Sequence, residues 1–550
     1  MIWGFSILKA ASITVVIFSY ISMKKNIIIL FLSIVCFCSY GQETCPIIPL
    51  PEHVEKNKGS FTLSKNTVIV IEDESIKPVS DYLQTELLRL VQIPLSVSNK
   101  KAANEIIFLY DKTVSNVSGS YSLNITKNKV IIRGRDNEGL FNGAISFIQL
   151  VSSEKKINTA INVACWNITD KPLYQWRGLM LDESRHFFGK EKVKQILSWM
   201  AYYKLNKFHW HLTDQHGWRI EIKQYPKLTQ VGGIGNFHDE YAPAKFYTQE
   251  EIKEIVAYAK ERFIEVIPEI DMPGHASAAN RAYPEFSGGG SEKYPEYTFN
   301  PGKDSTYQYL TDILREIDAL FPSQKIHIGG DEVHYGNETW NHLSDVKNLM
   351  QKENLKDLKE VENYFFKRIS DSLIKINNKV LAWDEMANAD IPANKSILFW
   401  WRHNKPEQLQ TALNKDMPVV LCPRFPMYFD YKQDSNQVHG PDHRKFTLNS
   451  IENVYKFSQN NYGVKFEKNK ELVLGVQANL WTERIRTENR LDYMLFPRIA
   501  ALAESAWTDS KYKDLGNFGK RISSHFPLYE KDGLYYFNYQ QPYETGEPKY

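Results

Sequence analysis

Cysteine is scarce in this chain, five in 550 residues, and no Cys-x-x-Cys pair occurs. Neither a structural zinc site nor a disulfide framework can therefore hold the fold. Cys36 and Cys38 fall in an N-terminal apolar segment, which leaves Cys45, Cys165 and Cys422. These permit one disulfide at most and leave an odd thiol. An excess of one charge is also missing: 67 basic and 65 acidic side chains give a formal net charge of +2. With no dense Lys/Arg run, the electrostatic footprint of a nucleic-acid binder is absent. No Gly-x-Gly-x-x-Gly follows any strand candidate, which removes the usual dinucleotide fingerprint. Low-complexity tracts are lacking too. Stability must come from core burial, and the length suggests two or more domains.

The start of the chain differs from the rest. Lys24-Lys25, the apolar run Ile27 to Phe37 and Ser39-Tyr40-Gly41 have the basic, apolar and small-residue layout of a signal peptide. Residues 1–41 are read as that leader, with cleavage after Gly41 and with Met23 as the true start. The expectation is an exported protein, periplasmic or extracellular, with no stable membrane partner. A retained anchor is the alternative, although each apolar run is short for a span of roughly 20 residues.

Residues 43–170 read as a small α/β domain. Thr67 to Ile71 suits a buried strand, Val79 to Val91 has helical spacing, and Tyr121 to Ile125 and Lys129 to Arg133 look like paired strands. A helix is expected from Gly139 to Val151. Nothing there has catalytic spacing. From residue 171 to 525, short apolar runs alternate with amphipathic helical stretches about eight times. The strand candidates are Gly178–Leu181, Lys207–Leu212, Glu265–Ile270, Lys325–Ile328, Val380–Trp383, Ile397–Trp401, Val419–Cys422 and Leu474–Leu480. Such alternation implies a parallel sheet, and eight units suit an α/β fold of the (β/α)8 TIM-barrel type. Residues 526–550 read as a C-terminal tail.

Barrel chemistry gathers at the C-terminal ends of the strands. The residues there are Asp182-Glu183, Asp214, Asp271 with His275, Asp331-Glu332, Asp384-Glu385, Tyr428 with Asp430, and Glu483. Any one of them is explained as a helix cap; their repetition after nearly every strand is not. Trp383, Trp401 and Trp481 also fall at strand ends, where flat rings rimmed by carboxylates suit a sugar. Gly329-Gly330-Asp331-Glu332 offers the two carboxyl groups that glycoside hydrolysis ordinarily uses. Neighbours on a regular strand face opposite ways, so the glycine pair must break the strand for both to reach one substrate.

These motifs resemble glycoside hydrolase family 20, the β-N-acetylhexosaminidases. Trp176-Arg-Gly-Leu-Met-Leu-Asp-Glu-Ser-Arg-His186, Asn206-Lys-Phe-His-Trp-His-Leu-Thr-Asp214, Pro268-Glu-Ile-Asp-Met-Pro-Gly-His275, His327-Ile-Gly-Gly-Asp-Glu-Val333, Ala382-Trp-Asp-Glu385 and Asn479-Leu-Trp-Thr-Glu483 occur in the family's order. The resemblance implies an exo-acting hydrolase of terminal β-linked N-acetylhexosamine, needing no cofactor or metal. It implies Glu332 as general acid/base and Asp331 as the residue holding the substrate's 2-acetamido group, which itself attacks the anomeric carbon. It further implies that Tyr428 binds the acetamido oxygen and that Trp383, Trp401 and Trp481 wall its methyl. Arg177, Asp430 and Glu483 would bind hydroxyls, with Asp214, Asp271 and His275 as a supporting network. Trp400 adjoins Trp401, and either could face the pocket. The sequence departs from the pattern at Gln215, where many members have a second Asp. The partner is a glycan ending in N-acetylhexosamine.

Two rivals stand beside this reading. A metal-dependent amidohydrolase would use His209-Trp210-His211, with His275, His327 and Asp331 as further ligands, but that class places its His pair on the first strand and here it falls on the second. A non-catalytic sugar-binding protein would keep the tryptophans and lose the acid, whereas Glu332 is present. The loop from Phe286 to Phe299 contains Gly288-Gly-Gly290, which predicts mobility.

Overall fold

The computed structural model describes residues 45–441, 447–464, 466 and 469–548. The leader assigned to residues 1–41 and the start at Met23 lie outside the described residues. Among those described, no helix is long and apolar enough to cross a membrane, and no disulfide forms; Cys165 and Cys422 are buried thiols.

The N-terminal module is a mixed sheet on which two helices pack. His53–Leu63 and Ala160–Asp170 form a long antiparallel pair at one edge, followed inward by Tyr121–Ile125, Lys129–Gly134, Glu105–Tyr110, Val68–Ile71 and Ser96–Ser98. The sequence signal for His53–Leu63 is weak because seven of its first eight side chains are exposed. Helix Asn137–Ser152 buries 13 of its residues, since the sheet covers one face and the barrel another. Gln149 shows this directly: its amide donates to Ile48 O at 2.7 Å and to Tyr202 O at 2.6 Å.

A closed parallel barrel follows, built from β1 (Trp176–Asp182), β2 (Lys207–His211), β3 (Glu265–Glu269), β4 (Lys325–His327), β5 (Lys379–Trp383), β6 (Ser396–Trp400), β7 (Val419–Leu421) and β8 (Val473–Leu480). Each strand pairs with the next, and β8 closes on β1. All eight lie where the apolar runs predict them. The crossover helices are amphipathic: Asp304–Leu320 buries Tyr309, Leu310, Ile313, Leu314 and Ile317, a spacing of three and four that puts one face on the sheet. Gln249–Lys260 begins with a reciprocal capping box between Thr248 and Glu251. Between β5 and β6 only 3-10 turns intervene, Asp384–Asn388 and Ala393–Lys395.

Two expectations are corrected. The Phe286–Phe299 loop is pinned, since Ser287–Gly289 pairs with Thr298–Phe299. A Cβ on Gly288 would lie 2.4 Å from Phe299 O and 2.7 Å from Trp340 Nε1, so this glycine permits close approach. The C-terminal stretch is packed as well. Helix Phe526–Lys531 buries Phe526 and Tyr529, and Glu547 pairs with the buried Arg490 at 2.6 Å.

A fully buried ion pair locks the barrel's last helices to the chain's first described segment. Arg521 donates to both Glu504 oxygens at 2.6 and 2.7 Å and to Ile47 O at 3.0 Å, while Glu504 also accepts from Leu50 N at 3.0 Å. Removing one member leaves an uncompensated buried charge, which typically costs about 3–5 kcal/mol. Glu504→Ala is expected to lower unfolding free energy by about that amount. Urea denaturation followed by tryptophan fluorescence checks this; an unchanged midpoint contradicts the locking role.

Candidate active site

The barrel interior is polar at its centre. His209 and His211 alternate on β2 and so share its inward face. Glu269 on β3 is in register with His211 on one side and His327 on the other. Its carboxylate lies 2.6 Å from His211 Nδ1, 3.0 Å from His209 Nε2 and 3.0 Å from His327 Nδ1, and accepts from Trp383 Nε1 at 2.9 Å. Burial alone would raise the Glu269 pKa, but the three imidazoles outweigh it and hold it well below the usual carboxylate range. Burial would lower His211, yet Glu269 carries it up to about 10, while burial prevails at His209 and brings it down to about 4.

From this centre a chain of contacts runs to the mouth. His211 Nε2 lies 3.0 Å from Asp214 Oδ2, and Asp214 Oδ1 lies 3.0 Å from His275 Nδ1. Arg185 adds a 2.7 Å ion pair to Asp214. These cations overcome burial and hold Asp214 well below the normal range. His275 Nε2 then faces Asp331 at 3.6 Å and Glu332 at 4.0 Å. Burial opposes its charge, but Asp214 and Asp331 win and carry it up to about 9. Burial pushes Asp331 up to about 6 against the pull of His275, and burial, with the Asp331 charge added, raises Asp271 well above the normal range.

Adjacent carboxyls reach one imidazole because the chain leaves strand geometry after β4. Gly329, Gly330 and Glu332 have φ of +66°, +95° and +51°. Only glycine fits at 329, where a Cβ would lie 1.8 Å from Asp271 Oδ1.

Aromatic rings close the inner end. Trp383, Trp401, Tyr428 and Trp481 belong to one buried cluster. Trp401 and Tyr428 are nearly parallel, 14° apart with centroids separated by 6.4 Å, and Trp481 lies 6.1 Å from Tyr428 and 6.0 Å from Trp383. Trp401 is the member of its pair that faces the cavity. Its indole donates to Glu385 at 3.0 Å and its backbone to Asp384 at 3.1 Å. Trp400 turns away, packs on Tyr462 and donates to Lys405 O. Tyr428 is aligned by bridging to Asn479 of β8, and Phe429 N donates to Asn479 O at 2.8 Å. The fully buried Arg498 clamps the same segment through Phe429 O and Tyr431 O.

A cavity of about 840 Å³ opens above these groups, lined by Arg185, His275, Glu332, Trp401, Asp430 and Glu483 among others. Gln215, the departure noted in the sequence, also lines it, as does His216. Several site atoms are buried without a hydrogen-bond partner, namely Asp331 Oδ1, Trp481 Nε1, Tyr297 OH and Arg185 Nε.

Arg177 is a correction. It lies near the start of β1, at the opposite end of the barrel, and donates to Lys204 O, Tyr174 O and Glu138 of the N-terminal module at 2.8, 3.0 and 2.7 Å. The arginine in the cavity is Arg185, 5.0 Å above the Trp481 ring. Both belong to the same motif; position along β1 separates them, because only the strand's C-terminal end reaches the mouth. That rule, applied strictly, would have found Arg185.

The profile of Glycosyl hydrolase family 20, catalytic domain, matches residues 174–510, and that of its domain 2 matches residues 44–171. The chain belongs to glycosyl hydrolase family 20. It is 33% identical over 513 residues to a β-hexosaminidase of Porphyromonas gingivalis, covering 88% of this chain and 65% of that protein. It therefore spans about two thirds of that relative's length. A Vibrio furnissii β-hexosaminidase is 32% identical, covering 84% of this chain and 76% of the relative. The crystal structure of an exo-β-N-acetylglucosaminidase of this family from Vibrio harveyi, in complex with N-acetylglucosamine, superposes with a TM-score of 0.82 at 32% identity, over 89% of this chain and 78% of that one.

Three described groups have donor atoms close enough to hold an ion: His209 with Glu269 and His327, His211 with Asp214 and Asp271, and Asp271 with His275 and Asp331. Most of these atoms already bond one another in the chain described above.

Arg177→Met is expected to destabilise the protein by roughly 2–4 kcal/mol, through lost buried hydrogen bonds to charged groups, with little change in kcat/KM below the unfolding transition. Arg185→Met is expected to lower kcat/KM by about 100-fold or more, as loss of a charged substrate contact would. Thermal unfolding and steady-state kinetics on both variants separate the roles; the reverse pattern would restore Arg177 to the site.

Proposed function

We propose that this protein is an exo-acting hydrolase that removes terminal, non-reducing β-linked N-acetylglucosamine or N-acetylgalactosamine with retention of configuration. The convergence of Asp331 and Glu332 on one edge of His275, beside a wall of indoles, supports it most directly. The β-hexosaminidase names of its relatives agree with it.

In this reading the sugar's acetamido methyl packs against Trp383, Trp401 and Trp481, and Tyr428 donates to the acetamido oxygen. Asp331 accepts from the acetamido N–H, which makes the carbonyl oxygen a better nucleophile toward the anomeric carbon. As the C–O bond to the leaving group breaks, Glu332 gives that oxygen its proton. The cyclic oxazolinium that forms is positively charged, and ionised Asp331 stabilises it. Glu332 then takes a proton from water, which opens the ring and releases the sugar. Family 20 is a recognised substrate-assisted exception to the two-carboxylate scheme. Arg185, Asp430 and Glu483 face the hydroxyl edge. Inward-facing imidazoles held by Glu269 account for the His-x-His pair without a metal step. Export through the leader at residues 1–41 belongs to the same proposal.

Glu332→Gln is expected to slow substrates with poor leaving groups by roughly 10² to 10⁴, and Asp331→Asn to impair only sugars carrying a 2-acetamido group. Chromogenic β-N-acetylglucosaminide assayed against β-glucoside checks both; equal losses on the two sugars argue against substrate assistance.

The pH profile follows from the charges. Asp331 works ionised, so kcat/KM is expected to fall as pH drops through about 6, where it takes up a proton. His275 works as a cation, so a second fall is expected as pH rises through about 9. A profile flat from pH 4 to 8 would contradict the Asp331 assignment.

A further inference from the structure

The charged residues of the cavity fall into two groups. The buried or half-buried acids Asp331, Glu332, Asp430 and Glu483 gather with Arg185 around the indoles, where the terminal sugar belongs. The remaining charged residues among the described lining are mostly basic: Arg281 and Lys293 are exposed, Arg424 and Arg484 are half-buried, and Glu240 is the acid among them. A catalytic pocket for a neutral amino sugar does not require such a rim.

These cations are held on aromatic and backbone supports. Arg424 lies 4.9 Å from the centre of the Trp401 ring, bonds Asn404 at 3.1 Å, and keeps its Nε buried without a hydrogen-bond partner. It therefore stands beside the Trp401 indole in the cavity lining. Arg281 donates to Ile234 O at 2.8 Å, and Glu240 is the charge that opposes the lowering of its pKa by burial. Lys293 sits 4.9 Å from the Tyr294 ring, and Arg484 sits 5.9 Å from Phe237. Tyr294 stacks on the exposed Tyr335 at 5.2 Å and 20°. Tyr335 follows Glu332 by three residues, so this ring pair lies next to the acid that protonates the leaving oxygen.

We propose that the outer cavity is a binding site for an anionic leaving-group sugar, one carrying a carboxylate or a sulfate ester. Its ring rests on Tyr294 and Tyr335 while its charge is met by Arg281, Lys293, Arg424 and Arg484. This rests on the function proposed above and narrows its substrate class to N-acetylhexosamine β-linked to an acidic residue. Guanidinium forks match carboxylate and sulfate oxygens in pairs, and rim cations in water act over a short, salt-dependent range.

The test uses four substrates on the full chain: an aryl β-N-acetylglucosaminide, and disaccharides in which the same amino sugar is β-linked to a uronic acid, to the same sugar with its carboxyl reduced to the alcohol, or to a sulfated sugar. The expected result is an acidic-over-neutral ratio of kcat/KM of about tenfold or more, falling steeply between low and 0.5 M sodium chloride. The double variant Arg281→Gln/Lys293→Gln changes exposed side chains and is expected to collapse that ratio toward one. A preference for the uronate or for the sulfate names the source of the charge. Equal rates on acidic and neutral disaccharides, with aryl hydrolysis intact, would overturn the anionic site and leave the hydrolase reading standing. No cleavage of any of the four would overturn both.

Discussion

One buried carboxylate organises the catalytic end of this molecule. Glu269 sits with no exposed surface inside the barrel, and a lone ion there would be strongly disfavoured. It survives because β2, β4 and β5 each bring nitrogen groups to it, His209 and His211, His327, and Trp383. The same contacts fix what surrounds it. Trp383 is oriented within the aromatic cluster beside the cavity, and His211 is oriented toward Asp214. Asp214 in turn aligns His275, whose far nitrogen faces the two acids. The barrel's need to satisfy one internal charge and the site's need for rigid acids are met by the same hydrogen bonds, which is how preorganised electrostatics are built.

The pair Asp331-Glu332 shows how a local backbone device becomes chemistry. Regular strand geometry would send one carboxyl inward and the other away. Three residues with positive φ within four positions turn both toward the cavity, and the absence of a side chain at 329 leaves room for Asp271. Burial then draws the Asp331 carboxyl up, checked by the His275 cation. The N-terminal module contributes no group to the cavity among the residues described. It is bound to the other end of the barrel through Arg177 with Glu138, Gln149 with Tyr202, and Asp170 with Trp507. That arrangement stabilises the closed end and leaves the mouth open.

Much of this was legible beforehand. All eight barrel strands were readable because a strand buried on both faces leaves an unbroken apolar run, and helices between them keep a period near 3.6. The carboxylates and indoles at strand ends were readable because chemistry on this fold gathers where the strands stop. The exposed edge strand His53–Leu63 was not, since a strand bathed in water on both faces carries no hydrophobic alternation. Arg498 was also invisible: an arginine whose work is to hold the carbonyls of Phe429 and Tyr431 has no sequence spacing to announce it.

The amino-acid sequence alone determined the barrel, its companion module and the placing of Asp331-Glu332 just after the fourth barrel strand, because periodicity and ordered motifs are properties of the chain itself. Only the tertiary structure decided which of two arginines in one motif meets the cavity, which of two adjacent tryptophans faces inward, and that the glycine-rich loop is pinned. It also decided that four cations from separate segments of the chain line one cavity. Each of these depends on direction and depth, and side chains far apart in sequence acquire both only when the strands close into a ring.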